Sequence, residues 1–167
     1  MKLYHASNQI VESPRIVNRF ATLDFGTGFY TTTNASQASE FAHKTFFRRK
    51  RLGEPTVNVY EIDAAKARQT LDIMEFEGPT NKDWLHFVVH NRREGRDPNC
   101  TPDIIIGPVG NDDVFETVAL FESGLVSEEE AIARFKAKEL FDQVLFCNEN
   151  ALSQLLFVEA RTIEVPR

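Results

Sequence analysis

Residues 24–33 read Asp24-Phe25-Gly26-Thr27-Gly28-Phe29-Tyr30-Thr31-Thr32-Thr33. Two glycines punctuate the first half and aromatic and β-branched residues fill the second, so a turn runs into a strand. Gly26 and Gly28 beside the bulky Phe29-Tyr30 imply backbone that bends sharply or approaches something closely. The simplest account is a hairpin loop leading to an edge strand, since short glycine motifs are weak signals alone.

Upstream, Leu3-Tyr4-His5 is a short strand candidate, with the small residues Ala6 and Ser7 after it and a long polar connection through Pro14 and Asn18. Downstream, Asn34 or Ser36 is placed to cap a helix whose apolar positions Ala38, Phe41, Ala42 and Phe46 recur at three- and four-residue spacing. Gly53 and Pro55 end it. Thr56 to Ile62 alternates as a half-buried strand does, and a further strand is expected within Thr70 to Phe76. Asn81 caps a helix to Arg92 that carries Trp84, Leu85, Val88 and Val89 on one face. Asp103 opens Ile104-Ile105-Ile106, a run suited to a central strand covered on both faces and ended by Gly107-Pro108. Asn111 or Asp112 caps a helix that stops at Gly124, and Ser127 with Glu130 forms a capping box opening another through Phe135. Val144 to Phe146 is a strand, Glu149 to Leu155 a short helix and Phe157 to Val165 a last strand. Strands and helices mix without regular βαβ alternation, which favours an α+β fold.

A chain of 167 residues with 42% hydrophobic and 26% charged residues is expected to fold as one domain, residues 1–167. Cys100 and Cys147 fit no paired metal-ligand spacing, so neither zinc nor a disulfide scaffold is expected, and the reading is a reduced cytoplasmic protein. No apolar run approaches the roughly 20 residues a membrane helix needs, so no membrane partner is expected. The net charge of −6 argues against a broad electrostatic grip on nucleic acid. Fourteen phenylalanines suit either core or the walls of a pocket for a flat ligand.

His5-Ala6-Ser7, then Gly28-Phe29-Tyr30-Thr31, then Phe41 one helical segment later, resemble the ADP-ribosyltransferase superfamily in its H-Y-E branch, the diphtheria-toxin and poly-ADP-ribose-polymerase-like one. Within it the chain is most similar to a group of small bacterial proteins with Asp-Phe-Gly-x-Gly-Phe-Tyr-x-Thr-Thr, matched by Asp24 to Thr33. The likeness continues in Trp84, Phe87, Asn91-Arg92, Asp103 to Val109, Asn111-Asp112 and Asp142 to Phe146, nearly the whole chain in order. It implies a split mixed or antiparallel sheet core with peripheral helices, and NAD as substrate. His5 would hydrogen-bond a ribose hydroxyl, the Ala6 backbone would take the nicotinamide carboxamide, and Ser7 would contact the adenosine side. Gly28 would belong to the NAD-binding set, and Tyr30 and Phe41 would sandwich the nicotinamide ring. The late-strand Glu of that branch falls on Gln143 here, an amide that hydrogen-bonds but carries no charge and serves no general-base role.

The resemblance therefore implies a mono-ADP-ribosyltransferase, with His5, Tyr30 and Gln143 as its catalytic set, acting on an intracellular protein or nucleic acid. It also implies a toxin of a toxin–antitoxin or phage-defence pair, with a small antitoxin partner. The alternatives are a catalytically weak NAD- or nucleotide-binding module and an NAD glycohydrolase. Arg48 to Arg51 suit a pyrophosphate grip or a solvated helix end. His86 and His90 stand four apart with no third ligand evident, as surface histidines do.

Overall fold

The computed structural model describes residues 1–16, 23–77, 81–108, 112–136 and 141–165. The expected roles of Asn18, Val109 and Asn111 fall outside the described residues. Within them run β1 (Lys2–Ser7), β2 (Phe29–Thr31), α1 (Ala35–Arg48), β3 (Thr56–Glu61), α2 (Ala64–Thr70), β4 (Ile73–Glu75) and α3 (Lys82–Glu94). Then follow β5 (Ile104–Pro108), α4 (Asp112–Glu122), α5 (Glu128–Lys136), β6 (Asp142–Phe146), α6 (Glu149–Leu152) and β7 (Leu156–Thr162). The fold is α+β.

The strands form two sheets, one of order β1-β3-β7 and one of order β2-β6-β5-β4. The first is antiparallel throughout, and the second is mixed because β4 runs parallel to β5. One rung joins them: Tyr4 donates its N–H to the Thr32 carbonyl at 2.8 Å and Thr32 returns the bond at 3.0 Å. Leu3, Tyr60, Phe29, Ile104, Val144 and Phe146 pack into one cluster that spans both sheets. On the other face of the second sheet, Phe25, Trp84, Val88, Ile105, Phe135 and Leu145 bury the helices α3 to α5 against it.

Local chemistry places the ends. Asn34 and Asn81 accept backbone N–H bonds as helix caps, the first from Gln37 and the second from Trp84. At the expected capping box only half forms: Ser127 Oγ accepts from the Glu130 N–H at 3.2 Å, while the Glu130 carboxylate turns to Arg134 at 2.6 Å. An i,i+4 pair with Arg134 outcompetes the backbone for that carboxylate. Strand β3 is buried on both faces rather than one: Tyr60 joins the cluster of Leu3 and Phe29, and Val57 packs with Ala38 and Ala42 of α1. Asn58 is fully buried there and satisfied by the loop after β1, accepting from the Val11 N–H at 2.8 Å and donating to the Gln9 carbonyl at 3.1 Å. Helix α2, capped by Asp63, lies where no helix is expected from the sequence pattern.

Candidate functional site

Strand β1 is an edge strand whose outer side faces the second sheet. Because Tyr4 spends both backbone groups on Thr32, antiparallel alternation turns those of Ala6 outward as well, and those of Leu3, His5 and Ser7 toward β3. The sheets diverge after the single rung, so the Ala6 N–H and C=O point into the split without a partner among the described residues. One donor and one acceptor are thereby offered side by side on stiff backbone.

His5 stands next to them. Its Nδ1 is 2.7 Å from the Tyr30 carbonyl, and a carbonyl only accepts, so Nδ1 carries the proton and Nε2 keeps a lone pair. The ring also stacks at 4.2 Å between centroids on Phe29. Burial pushes the His5 pKa down, and the bond to Tyr30 offsets that only in part, so the imidazole is neutral at pH 7. No hydrogen bond reaches Nε2 among the described residues, which leaves its lone pair as a spare acceptor.

Tyr30 is held at its far end. Its hydroxyl donates to the Gly26 carbonyl at 2.7 Å and accepts from the Phe25 N–H at 3.2 Å, which locks the ring against the glycine turn. Burial, above all, raises its pKa far beyond the physiological range. Gly28 is required by a close approach: a Cβ there would lie 2.6 Å from the Phe146 carbonyl oxygen and 2.5 Å from Leu145 Cδ1. Phe41 is half-buried on α1 and makes no ring contact with Tyr30 among the described residues; its ring carries Lys44, whose Nζ is 5.6 Å from the centroid. Ser7 is buried at the end of β1, opposite Thr56.

Asp142 and Gln143 point to opposite faces of β6, as strand alternation requires. Gln143 is buried and donates through Nε2 to the Pro108 carbonyl at 3.3 Å, an oxygen that also accepts from Trp84 Nε1 at 3.2 Å. Asp142 instead closes the turn between β2 and α1. Its Oδ1 lies 2.9 Å from Thr32 Oγ1 and accepts from the Thr33 N–H at 3.1 Å, and Gln37 Oε1 lies 2.7 Å from the same hydroxyl. Gln37 did not stand out in the sequence, and Asp142 did so only as the neighbour of Gln143; the polar run Thr31 to Asn34 is the signal that a side-chain network forms there.

The aspartate of the glycine motif is fixed from a distance. Arg92 Nε and a terminal nitrogen meet Asp24 Oδ1 at 2.8 and 2.7 Å, and Asn91 Nδ2 donates to the Asp24 carbonyl at 3.0 Å. The Arg92 guanidinium also lies 3.8 Å above the Phe115 ring. Asn91-Arg92 therefore hold the turn that holds Tyr30. The basic run at the end of α1 is exposed, with Lys50 and Arg51 at positive φ and Arg51 over Phe47. His86 pairs with Glu128 on the surface, and among the described residues no three His, Cys, Asp or Glu side chains gather as a metal site. No described helix is long and apolar enough to cross a membrane.

Comparison with curated proteins gives no match. The family model described as protein of unknown function (DUF3990) matches residues 1–157, nearly the whole chain and every element from β1 to α6, and the protein belongs to that family.

Proposed function

We propose that the protein is a mono-ADP-ribosyltransferase with an ADP-ribosyltransferase-like split-sheet core, and that NAD binds at the divergence of the two sheets. The observation that carries this reading is the N–H and C=O of Ala6, unpaired among the described residues, beside a neutral His5 whose Nε2 makes no hydrogen bond among them. A nicotinamide carboxamide needs one acceptor and one donor in a fixed plane, and a ribose hydroxyl needs an acceptor nearby. Tyr30, immobilised at its hydroxyl, supplies a stiff aromatic wall with little side-chain entropy left to lose.

In the reaction proposed, the bond between the ribose C1′ and the nicotinamide nitrogen breaks. Its electron pair leaves with neutral nicotinamide. A nucleophile on an intracellular protein or nucleic acid bonds C1′ and releases its proton. Gln143 offers no charge to the oxocarbenium-like transition state, so positioning by His5, Ala6 and Tyr30 carries the rate. Ser7, Gly28 and Phe41 complete the binding set. The biological setting proposed is that of a cytoplasmic toxin restrained by a small antitoxin protein.

A second reading has its own observation. The Gln143 amide is already committed to Pro108 and buried, which suits a module that binds NAD with little turnover. One experiment separates the readings: the protein is incubated with NAD labelled in its adenylate part, with and without cell lysate. Nicotinamide release with label on a macromolecule supports transfer, release without label supports hydrolysis, and binding without release supports the module. Absence of both binding and release overturns all three.

A further inference from the structure

Beside the glycine turn lies an open-sided cavity of about 650 Å3 walled by Gly26, Thr27, Asn91, Arg96, Cys147 and Asn148, among others, and by none of the residues of the proposed NAD site. One of its buried polar groups has no partner among the described residues. Asn91 is 1% exposed, its Nδ2 is spent on the Asp24 carbonyl, and its Oδ1 is buried without a hydrogen-bond partner. Leaving such an acceptor unpaired costs about 1–3 kcal/mol, which a ligand or ordered water recovers. Arg96 is the second signal. It is half-buried and no carboxylate pairs with it among the described residues; its guanidinium donates only to the Cys147 sulfur, at 2.9 Å. A thiol is a weak acceptor for a guanidinium made to bind an oxyanion in a bidentate way. Burial meanwhile raises the Cys147 pKa, so that thiol stays neutral and supplies no counter-charge to the arginine.

The rim also carries Arg93, Glu94 and Asp97, and none of them pairs with Arg96 among the described residues. Arg93 is turned to Glu122, and Asp97 Oδ1 accepts from the Asn99 backbone and side chain at 2.8 and 3.1 Å. The cavity thus has at one wall a half-buried guanidinium with no carboxylate partner among the described residues, at another the Asn91 amide with its unsatisfied Oδ1, and space for a small metabolite between them.

We infer that this cavity is a binding site, separate from the proposed NAD cleft, for a small molecule carrying an oxyanion for Arg96 and an N–H or O–H donor for Asn91 Oδ1. The ligand also touches the turn that secures Tyr30, because the Gly26 carbonyl accepts the Tyr30 hydroxyl and a Cβ on Gly26 would come within 3.1 Å of Arg96 Cβ. The inference does not depend on NAD chemistry.

Adenosine 5′-monophosphate and L-glutamate serve as phosphate and carboxylate probes. Binding to the full chain is measured by calorimetry, and alkylation of Cys147 by iodoacetamide is followed by mass spectrometry. The expected result is saturable binding of at least one probe, slower Cys147 alkylation in its presence, and at least about a tenfold loss of affinity in Arg96→Gln, the scale of one charge-assisted hydrogen bond. Which probe binds distinguishes a phosphate from a carboxylate ligand. Thr101→Trp, an exposed position on the cavity wall, gives the same loss by obstruction without touching Arg96. The inference is overturned if neither probe binds at millimolar concentration, or if binding survives both substitutions with Cys147 alkylation unchanged.

Discussion

His5 and Tyr30 come from different sheets, and the Nδ1 proton of one rests on the backbone carbonyl of the other at 2.7 Å. The contact fixes both the tautomer and the orientation of the imidazole without using the Tyr30 side chain. His5 is thereby an acceptor at Nε2 only while it stays neutral.

Protonation of His5 is therefore the event to follow with pH. Burial holds its pKa below the ordinary 6.5, so the unfolded chain takes up the proton more readily than the folded one. Its contribution to stability is complete above pH 6.5 and is lost as pH falls below that value toward the folded pKa. Wild-type melting temperature should fall more steeply between about pH 7 and 5 than that of His5→Gln. An NMR titration midpoint for His5 above 6.5 would contradict the burial argument.

Tyr30→Phe and Tyr30→Ala separate the ring from the hydroxyl. Losing the hydroxyl leaves the Gly26 carbonyl and the Phe25 N–H without their partner, at a cost of about 1–2 kcal/mol. The phenylalanine variant should melt lower yet retain NAD turnover under the proposed function, whereas the alanine variant loses turnover. Equal turnover in both would remove Tyr30 from the binding wall.

Gly28→Ala tests the close approach of β2 to β6. The clash is partly with the Phe146 backbone oxygen, which cannot rotate away, so overpacking of about 1–3 kcal/mol is expected in denaturant titrations. An unchanged midpoint would mean that the loop shifts freely.

Arg92→Met leaves the Asp24 carboxylate buried with one partner fewer. About 3–5 kcal/mol should be lost, and the double variant Arg92→Met with Asp24→Asn should recover part of it. If the single and double variants unfold at the same denaturant concentration, the pair is not coupled.

Gln143→Glu places a carboxyl where the Nε2 donor meets the Pro108 carbonyl. The variant should unfold more easily at pH 8 than at pH 5, because burying the ionised form beside an acceptor is the costly case. A pH-independent loss would show that the side chain has swung out of the sheet.

Elements with a cap and an apolar stripe were legible in the sequence. Asn81 with Trp84, Leu85 and Val88 gives α3 directly. Helix α2 was not, because Ala64 to Thr70 buries only Ala67 and so has no stripe to detect. Alternation in Thr56 to Ile62 revealed a strand but not its position in the middle of a sheet, since a polar Asn58 that is fully satisfied by a distant loop looks solvent-facing in sequence. The phenylalanines divide likewise. Phe25 and Phe146 are core, while Phe47 and Phe115 are about half exposed, and Phe115 serves as a platform for Arg92. The residues of the candidate site on β1 and β2 were legible as types. What the sequence withheld was the clasp of Asn91 and Arg92 on Asp24, 67 and 68 positions away, which no local pattern encodes.

The single rung between Tyr4 and Thr32 also bears on self-association. An unpaired strand edge invites a foreign strand, and such edges template aggregates. Here the uncovered length ends almost at once: Ser7 is the last residue of β1, and the chain beyond it turns back onto Asn58 and Tyr60. A gap of two or three residues is too short to hold a second chain in register. The same shortness that leaves Ala6 free keeps that freedom from becoming a liability.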